Sequence, residues 1–146
     1  MQASPSRTVA FDVLRRVHEG AFAADLLLAK SKDLDSRDAG LASEIVFGCL
    51  RYQLQLDNLI GRLSSIASLD IEVRTALRMG IYQLRYLERI PAHAAVTECV
   101  AAATGCDASK IRIHIARGDP NRWGIGGVPA SVLRAAEIAA RAQNAA

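Results

Sequence analysis

The amino-acid sequence predicts an all-α protein, a bundle of short helices with a short irregular insert before the last helix. Apolar residues recur at three- and four-residue spacing through most of the chain, which is the helical period. Hydrophobic residues make up 51% of the 146 residues but aromatic residues only 5%, and this composition favours packed helices over a β-sandwich. The length suits one domain, so we predict a single domain over residues 1–146.

The first two predicted helices occupy the N-terminal part of the chain. The first begins near Ser4, which can cap it, and Pro5 is tolerated in its first turn. Gly20 ends this helix, since glycine is favoured just beyond a helix C-terminus. A second, shorter helix is predicted over residues 23–31.

The third helix is predicted to begin at Asp35 or Ser36, because either side chain can cap it. Its predicted buried stripe comprises Leu41, Ala42, Ile45, Val46, Cys49 and Leu50. Gly48 lies within this stripe and costs about 1 kcal/mol against alanine, which makes sense if another helix crosses closely there. We expect a break near residues 55–56 and then a fourth helix to about Ser64.

The fifth helix is predicted to start at Ser68 or Asp70 and to end before Pro91, since the residue before proline avoids the α region. Its predicted core face comprises Val73, Ala76, Leu77, Ile81 and Leu84. Gly80 is expected to permit a close approach of another helix. A sixth helix is predicted over residues 91–103, with its apolar positions at Ala95, Val96, Cys99 and Val100 buried.

Beyond residue 105 the pattern changes. Isoleucines at positions 111, 113 and 115 alternate with polar residues, which is typical of a strand. The glycines at positions 124, 126 and 127 favour a loop. Residues 106–127 therefore form the predicted atypical insert, and a terminal helix is predicted over residues 129–143.

Charge and cysteine content narrow the functional classes. The formal net charge is +3, which is compatible with binding to nucleic acid but also with an ordinary basic protein. The sequence has an odd number of cysteines, namely Cys49, Cys99 and Cys106, and their spacing matches no zinc-binding motif. This pattern favours a reducing, cytoplasmic setting. Because there is no signal-like or membrane-spanning apolar run, we expect a cytoplasmic protein with no membrane partner.

Catalytic chemistry finds little support in the sequence. His18, His93 and His114 fit no metal motif, and each is expected to be a capping or surface residue. The glycines of residues 124–127 lack the lysine and Ser/Thr of a phosphate-binding loop. We therefore predict no catalytic residue, no metal and no cofactor, and that the protein is not an enzyme.

Arginine dominates the basic residues, with fifteen arginines against three lysines. The planar guanidinium donates paired hydrogen bonds to phosphate, so this bias favours phosphate recognition. The alternative is a solvated basic face with partners one helical turn away, such as Glu88 beside Arg85.

Five stretches together resemble a known family. They lie at residues 7–14, 35–51, 56–60, 77–84 and 89–98. Residues 7–104 are accordingly similar to the NusB/RsmB family domain. The sequences Phe-Gly-Cys-Leu-Arg and Arg-Ile-Pro-Ala-His-Ala-Ala-Val are nearer to the NusB-like domain fused to RsmB/Sun/Fmu rRNA 5-methylcytosine methyltransferases than to the free-standing antitermination factor NusB.

The resemblance implies a NusB-like helical bundle that binds RNA, which would be rRNA or its leader. By position it implies RNA contacts from Arg7, Arg15 and Arg16, and a site that a ribosomal protein can share. We therefore predict a non-catalytic RNA-binding domain that acts in rRNA maturation or in antitermination-like regulation of transcription. A helical protein-interaction module and a remnant accessory domain of an rRNA cytosine-5 methyltransferase remain alternatives.

Two departures from the family stand out. The cofactor-binding glycine loop and the Pro-Cys motif of the methyltransferase module are absent from these 146 residues. Residues 127–134 are only weakly similar to the family's Gly-Phe-Val-Asn segment, and they follow the unusual insert. A diverged insert and a frame-shifted, truncated methyltransferase gene would each explain this, and the oligomeric state stays open.

Overall fold

Six α-helices carry most of the part of the chain that the computed structural model describes, which is residues 3–63, 68–110, 124–125 and 128–129. The helices are α1 (Pro5–His18), α2 (Ala23–Lys30), α3 (Ser36–Arg51), α4 (Gln53–Leu63), α5 (Ile71–Tyr86) and α6 (Ala92–Thr104). A single 3₁₀ turn, η1 (Ala108–Lys110), follows α6. The predicted all-α class is confirmed.

Local signals account for several helix ends. Asp35 caps α3, since its Oδ1 accepts a hydrogen bond from the backbone N–H of Asp38 at 2.8 Å. Ser4 precedes α1, but its hydroxyl does not cap that helix and instead accepts a hydrogen bond from Arg7. Gly105 adopts the left-handed conformation (φ 68°) that ends α6.

The core lies where α1 meets α3, α5 and α6. Its central side chains are those of Ala10, Val13, Ile45, Val46, Leu56, Met79 and Cys99. The break between α3 and α4 falls at Tyr52, three residues before the predicted position, and the chain continues as helix from Gln53. Helix α4 is tied to α5 by a two-pronged ion pair, in which Arg78 Nε and Nη2 donate to the Asp57 carboxylate at 2.7 Å each.

The close crossing predicted at Gly48 is confirmed. A methyl group at this position would overlap the ring of Tyr82, which crosses α3 from α5. The ring is held there because the Tyr82 hydroxyl donates a hydrogen bond to Oε1 of Glu44 at 2.5 Å. Glycine is therefore required for this approach of α5 to α3.

The predicted core face of α5 is wrong at three of its five positions, while Ala76 and Ile81 are half-buried and pack against the core. Val73, Leu77 and Leu84 are 44%, 39% and 49% exposed, whereas the buried positions are Thr75, Met79, Gly80, Tyr82 and Gln83. The helix is rotated relative to the prediction because Tyr82 forms a hydrogen bond with α3 and Gln83 forms one with α1. These hydrogen bonds keep the face that carries Tyr82 and Gln83 in the core. Gly80 is buried but a Cβ there would meet no atom within 4 Å, so its predicted role in a close approach is also wrong.

The chain divides into two compact units, residues 1–114 and 115–146, and all six helices belong to the first. In the second unit, β1 (Gly124–Ile125) and β2 (Val128–Pro129) pair antiparallel, so Gly124 lies in a strand and not in the predicted loop. The predicted strand at 111–115 and the predicted helix after Pro129 lie outside the described residues. No helix in the described ranges is both long and apolar enough to span a membrane.

Candidate nucleic-acid interface

The three arginines predicted to contact RNA all lie on α1, but in different surroundings. Arg7, in the first turn, is only 5% exposed. Arg15 is half-buried and Arg16 is exposed, and both lie in the last turn. The structure therefore brings Arg15 and Arg16 together at one end of α1 and places Arg7 at the other.

Arg7 joins α1 to both α5 and α6. Its Nε donates to Oε1 of Gln83 at 2.8 Å, and its Nη1 donates to Oε2 of Glu98 and to Oγ of Ser4, both at 2.9 Å. The backbone N–H of Ser4 donates to the same Glu98 oxygen at 3.1 Å. The guanidinium is thus held on three sides, and Arg7 could reach an RNA phosphate only by leaving Glu98.

Gln83 continues this network into the core. Its Nε2 donates to the carbonyl of Met79 at 2.9 Å and to Sγ of Cys99 at 3.1 Å. Gln83 is fully buried, so each of these hydrogen bonds offsets the cost of placing an amide away from water. The sequence carried no signal for this role, because a glutamine in a helical pattern is ordinarily a surface residue.

Arg15 is shared between two acidic neighbours on its own helix. It donates to Oε1 of Glu19 at 3.1 Å and to Oδ1 of Asp12 at 3.4 Å. Asp12 also pairs with Nζ of Lys30 on α2 at 2.7 Å. Partial burial raises the pKa of Asp12, but the hydrogen bond and charge of Lys30, aided by Arg15 and Arg16, outweigh it and hold that pKa below its ordinary value.

Arg16 differs from Arg15 in having no ion pair within the part of the chain that the structure describes. Its guanidinium is exposed to solvent and already contributes to the field at Asp12. An exposed, unpaired arginine can bind a phosphate without first breaking an intramolecular contact. Arg16 is therefore the predicted residue best placed for such a contact.

A cleft of about 320 Å³, lined by both polar and apolar side chains, lies beside the start of α1. Its lining comprises Ser4, Ser6, Arg7, Asp35, Arg37, Asp38, Leu41, Arg89, Ile90, Pro91 and Ala94. Arg37 and Arg89 are exposed and form no ion pair among the described residues. Sequence analysis did not single out either residue for RNA binding, although both sit next to predicted helix starts. Two carboxylates line the same cleft, so its charge is mixed.

Two thiols lie in the core close to this network. Burial raises the pKa of Cys49 to about 12 and that of Cys99 to about 11. Both are therefore protonated thiols at neutral pH, which are poor nucleophiles. In the described ranges, no group of three or more His, Cys, Asp and Glu side chains could hold a metal ion.

A second opening, the α5–α6 groove, is almost entirely apolar and has a volume of about 320 Å³. Its lining comprises Val73, Ala76, Leu77, Gly80, Ile81, Leu84, Val96, Cys99, Val100, Ala103 and Thr104. These residues include the α5 stripe that the sequence analysis placed in the core. This α5 stripe therefore lines a groove at the surface of the bundle and is not part of the buried core.

Comparisons with known proteins agree with the resemblance seen in the sequence. Residues 4–112 match the model of the NusB family. The chain is 42% identical to ribosomal RNA small subunit methyltransferase B of Pseudomonas putida over 79 residues, which cover 53% of this chain and 18% of that protein. It is 31% identical to a probable ribosomal RNA small subunit methyltransferase B of Bacillus subtilis over 118 residues, covering 78% and 25%.

A third relative is ribosomal RNA small subunit methyltransferase B of Erwinia tasmaniensis, with 37% identity over 100 residues that cover 66% of this chain and 23% of that protein. The chain thus spans a quarter or less of the length of these relatives. No solved structure matches it significantly.

Proposed function

The chain belongs to the NusB family, and on that premise we propose that it is a non-catalytic domain that binds RNA. The RNA would be rRNA or its leader, and the role would lie in rRNA maturation or in antitermination-like regulation of transcription. The names of the relatives, which are rRNA methyltransferases, favour rRNA. The observation that carries the proposal is the pair Arg15 and Arg16 on the outer side of α1, with Arg16 exposed and unpaired among the described residues.

The proposed binding uses the arginines of α1 in different ways. Arg16 would contact a phosphate directly, and Arg15 would do so by exchanging Asp12 or Glu19 for the phosphate. Such an exchange costs little, since exposed ion pairs contribute about 0–1 kcal/mol. Arg7 would support the site indirectly, because its contacts with Gln83 and Glu98 fix the start of α1 against the bundle.

The proposal assigns the chain no reaction of its own and no cofactor. Two of its thiols are buried and protonated, and the cofactor-binding motifs expected of a methyltransferase module are not among these 146 residues. Phosphate contacts position RNA, whereas sequence is read on unstacked bases. A ribosomal protein that shares the α1 surface is part of the proposal, and it would compete with RNA or bind beside it.

Replacement of both α1 arginines tests the proposal. The double variant Arg15→Ala/Arg16→Ala and the wild type would be titrated into a fluorescein-labelled single-stranded rRNA-leader fragment at low salt, and anisotropy would be recorded. Removal of two phosphate contacts should weaken binding roughly ten-fold or more. Arg62→Ala, which removes an exposed arginine from α4, is the matched control and should bind within about two-fold of wild type.

Equal binding by the double variant and the wild type would contradict the assignment of these arginines. Circular dichroism at 222 nm would accompany each titration, so that loss of binding is not mistaken for loss of fold. A ribosomal protein partner would be tested by adding candidate small-subunit proteins to the labelled complex. A further rise in anisotropy, or release of the RNA, would support the shared site.

A second candidate function is a protein-interaction module, including an accessory domain of an rRNA cytosine-5 methyltransferase. The observation in its favour is the apolar α5–α6 groove, which would accept the apolar face of a helix from the partner chain. Binding through this groove should be nearly independent of salt, unlike RNA binding. Leu77→Glu would place a charge in the groove, and it should abolish capture of a methyltransferase module while leaving RNA binding unchanged.

A further inference from the structure

Three tyrosines form a ring stack between α3 and α5. The rings of Tyr52 and Tyr86 are stacked, with centroids 4.6 Å apart and planes 10° apart. The ring of Tyr82 is buried, and its centroid lies 5.2 Å from that of Tyr86. Tyr52 and Tyr86 are only half-buried, so part of the stack is open to solvent.

Two exposed arginines lie close to this stack. The Arg85 guanidinium lies 5.8 Å from the centroid of the Tyr86 ring. Arg51 ends α3 immediately before Tyr52, and its charge acts on the Tyr82 hydroxyl. We call Arg51, Tyr52, Arg85 and Tyr86 the tyrosine–arginine surface.

The two cations of this surface have no carboxylate partner among the described residues. Neither Arg51 nor Arg85 forms an ion pair there, and the Glu88 expected beside Arg85 does not pair with it. The acidic neighbour Glu44 accepts the hydroxyl of Tyr82 instead. Glu44 keeps its own negative charge, but neither guanidinium charge is cancelled by an ion pair, and an anionic partner is therefore favoured over a basic or neutral one.

Packing alone explains only part of this arrangement. The buried Tyr82 joins α3 to α5, and the Tyr86 hydroxyl donates to Oε1 of Gln55 on α4 at 2.9 Å. Packing gives no reason for two exposed arginines without ion pairs in the described ranges beside these rings. Aromatic rings beside unpaired cations are the combination that binds single-stranded nucleic acid, since bases stack on the rings and phosphates pair with the cations.

We propose that the tyrosine–arginine surface is a second contact for single-stranded RNA, in which an unstacked base lies on the open part of the Tyr52–Tyr86 stack. Arg51 and Arg85 then pair with the phosphates on either side of that base. The inference rests on the proposed RNA-binding function and adds to it a base contact that the α1 arginines do not supply. No residue of the surface belongs to α1. Stacking tolerates every base, so this contact gives affinity without strict sequence preference.

Photo-crosslinking of the unaltered protein is the direct test. A single-stranded rRNA-leader fragment that carries 5-iodouridine would be bound at low salt and irradiated, and the cross-linked peptides would be identified by mass spectrometry. We expect adducts at Tyr86 or Tyr52. Adducts confined to other residues, from a complex shown by anisotropy to be fully formed, would overturn the inference.

Substitutions at Tyr86 give an independent measurement. Tyr86→Ala should weaken RNA binding at least about five-fold, and Tyr86→Phe, which keeps the ring, should stay within about two-fold of wild type. The slope of log affinity against log salt should be unchanged in both, because no cation is removed. Arg85→Ala should reduce that slope, and Leu54→Ala, which alters an exposed leucine near the surface, should change neither quantity.

The outcomes separate this inference from the proposed function. If wild type binds RNA and Arg15→Ala/Arg16→Ala weakens it, but folded Tyr86→Ala binds normally, the tyrosine–arginine surface is overturned and the function stands. If wild type binds no RNA at low salt, both are overturned. If Tyr86→Ala instead loses a ribosomal protein while keeping its RNA affinity, the surface is a protein contact and the inference is wrong.

Discussion

Replacing Arg7 by alanine should destabilise the fold strongly, although Arg7 belongs to a set of residues predicted to bind RNA. Arg7 is 5% exposed, and its removal leaves Glu98 without its cation and the buried Oε1 of Gln83 without a donor. Breaking a buried ion pair from one side costs about 3–5 kcal/mol. The Glu98 side chain is 25% exposed, so water can solvate part of its charge, and we expect the lower end, about 3 kcal/mol.

Urea unfolding followed by circular dichroism at 222 nm measures this destabilisation. With a dependence on urea of about 2 kcal/mol per molar, a decrease of about 3 kcal/mol lowers the midpoint by about 1.5 M. The matched control is Arg16→Ala on the same helix. Because Arg16 is exposed and has no ion pair in the described ranges, its replacement should change the free energy of unfolding by no more than about 0.5 kcal/mol.

A double-mutant cycle identifies the cause of the Arg7 effect. If the ion pair with Glu98 is responsible, Arg7→Ala and Glu98→Gln should be strongly non-additive, with a coupling of about 1 kcal/mol or more. If the free energies of unfolding of Arg7→Ala and Arg16→Ala agree within about 0.5 kcal/mol, the buried network does not stabilise the fold. Arg7 would then be free to act as a direct RNA ligand.

Three further predictions concern packing, titration and thiol exposure. Gly48→Ala should lower the free energy of unfolding by about 1 kcal/mol, because the overlap of the added methyl group with the Tyr82 ring outweighs the better helix propensity of alanine. The added methyl group of Gly61→Ala meets no atom, so that variant should raise the free energy of unfolding, and urea unfolding of both variants checks the two predictions. The pKa of Asp12 is lowered in the fold, so its ion pair should contribute about 0.5 kcal/mol to stability above pH 3.8, and this contribution is lost as the pH falls below that value. If the free energy of unfolding of Asp12→Asn followed the same pH dependence as that of the wild type, this contribution would be excluded. Cys106 should react with a thiol reagent in the native state while the other two thiols react only after unfolding, and three equally fast thiols would contradict the burial described.

The helices themselves could be predicted because their signals are local. The cap at Asp35, the apolar spacing of α3 and the glycine that ends α6 act within a few residues of each other. The close crossing at Gly48 was also predictable, since a glycine inside an apolar helical stripe costs helix stability unless a neighbour needs the space. The partner at that crossing, Tyr82, could not be named from the sequence, because the contact joins residues 34 positions apart.

The rotation of α5 could not be predicted from hydrophobic spacing. The most apolar face of the helix carries Leu77 and Leu84, yet a face with Gln83 is buried. Burial of that glutamine depends on Arg7 and Cys99 from two other helices, which supply its hydrogen-bond partners. Polar networks of this kind form only in the assembled fold, so single-helix patterns do not reveal them.

The candidate site was predicted only in part for the same reason. Arg16 is exposed as an RNA-contacting residue needs to be, but Arg7 belongs to the network that fixes α1. The exposed arginines at positions 37 and 89 come together at one cleft only through tertiary packing. A pattern of arginines in a sequence therefore indicates charge, while the fold decides which of them remain available.

The salt dependence of RNA binding tests the central claim most directly. Affinity for a single-stranded rRNA-leader fragment would be measured between about 50 and about 200 mM KCl for the wild type and for Arg15→Ala/Arg16→Ala. The account predicts a wild-type affinity that falls steeply with salt. It also predicts a slope of log affinity against log salt that is shallower in the double variant by about 1.4, or about 0.7 for each phosphate that no longer has its arginine. No binding at the lowest salt concentration, or two identical slopes, would contradict the claim that this chain binds RNA through the arginines of α1.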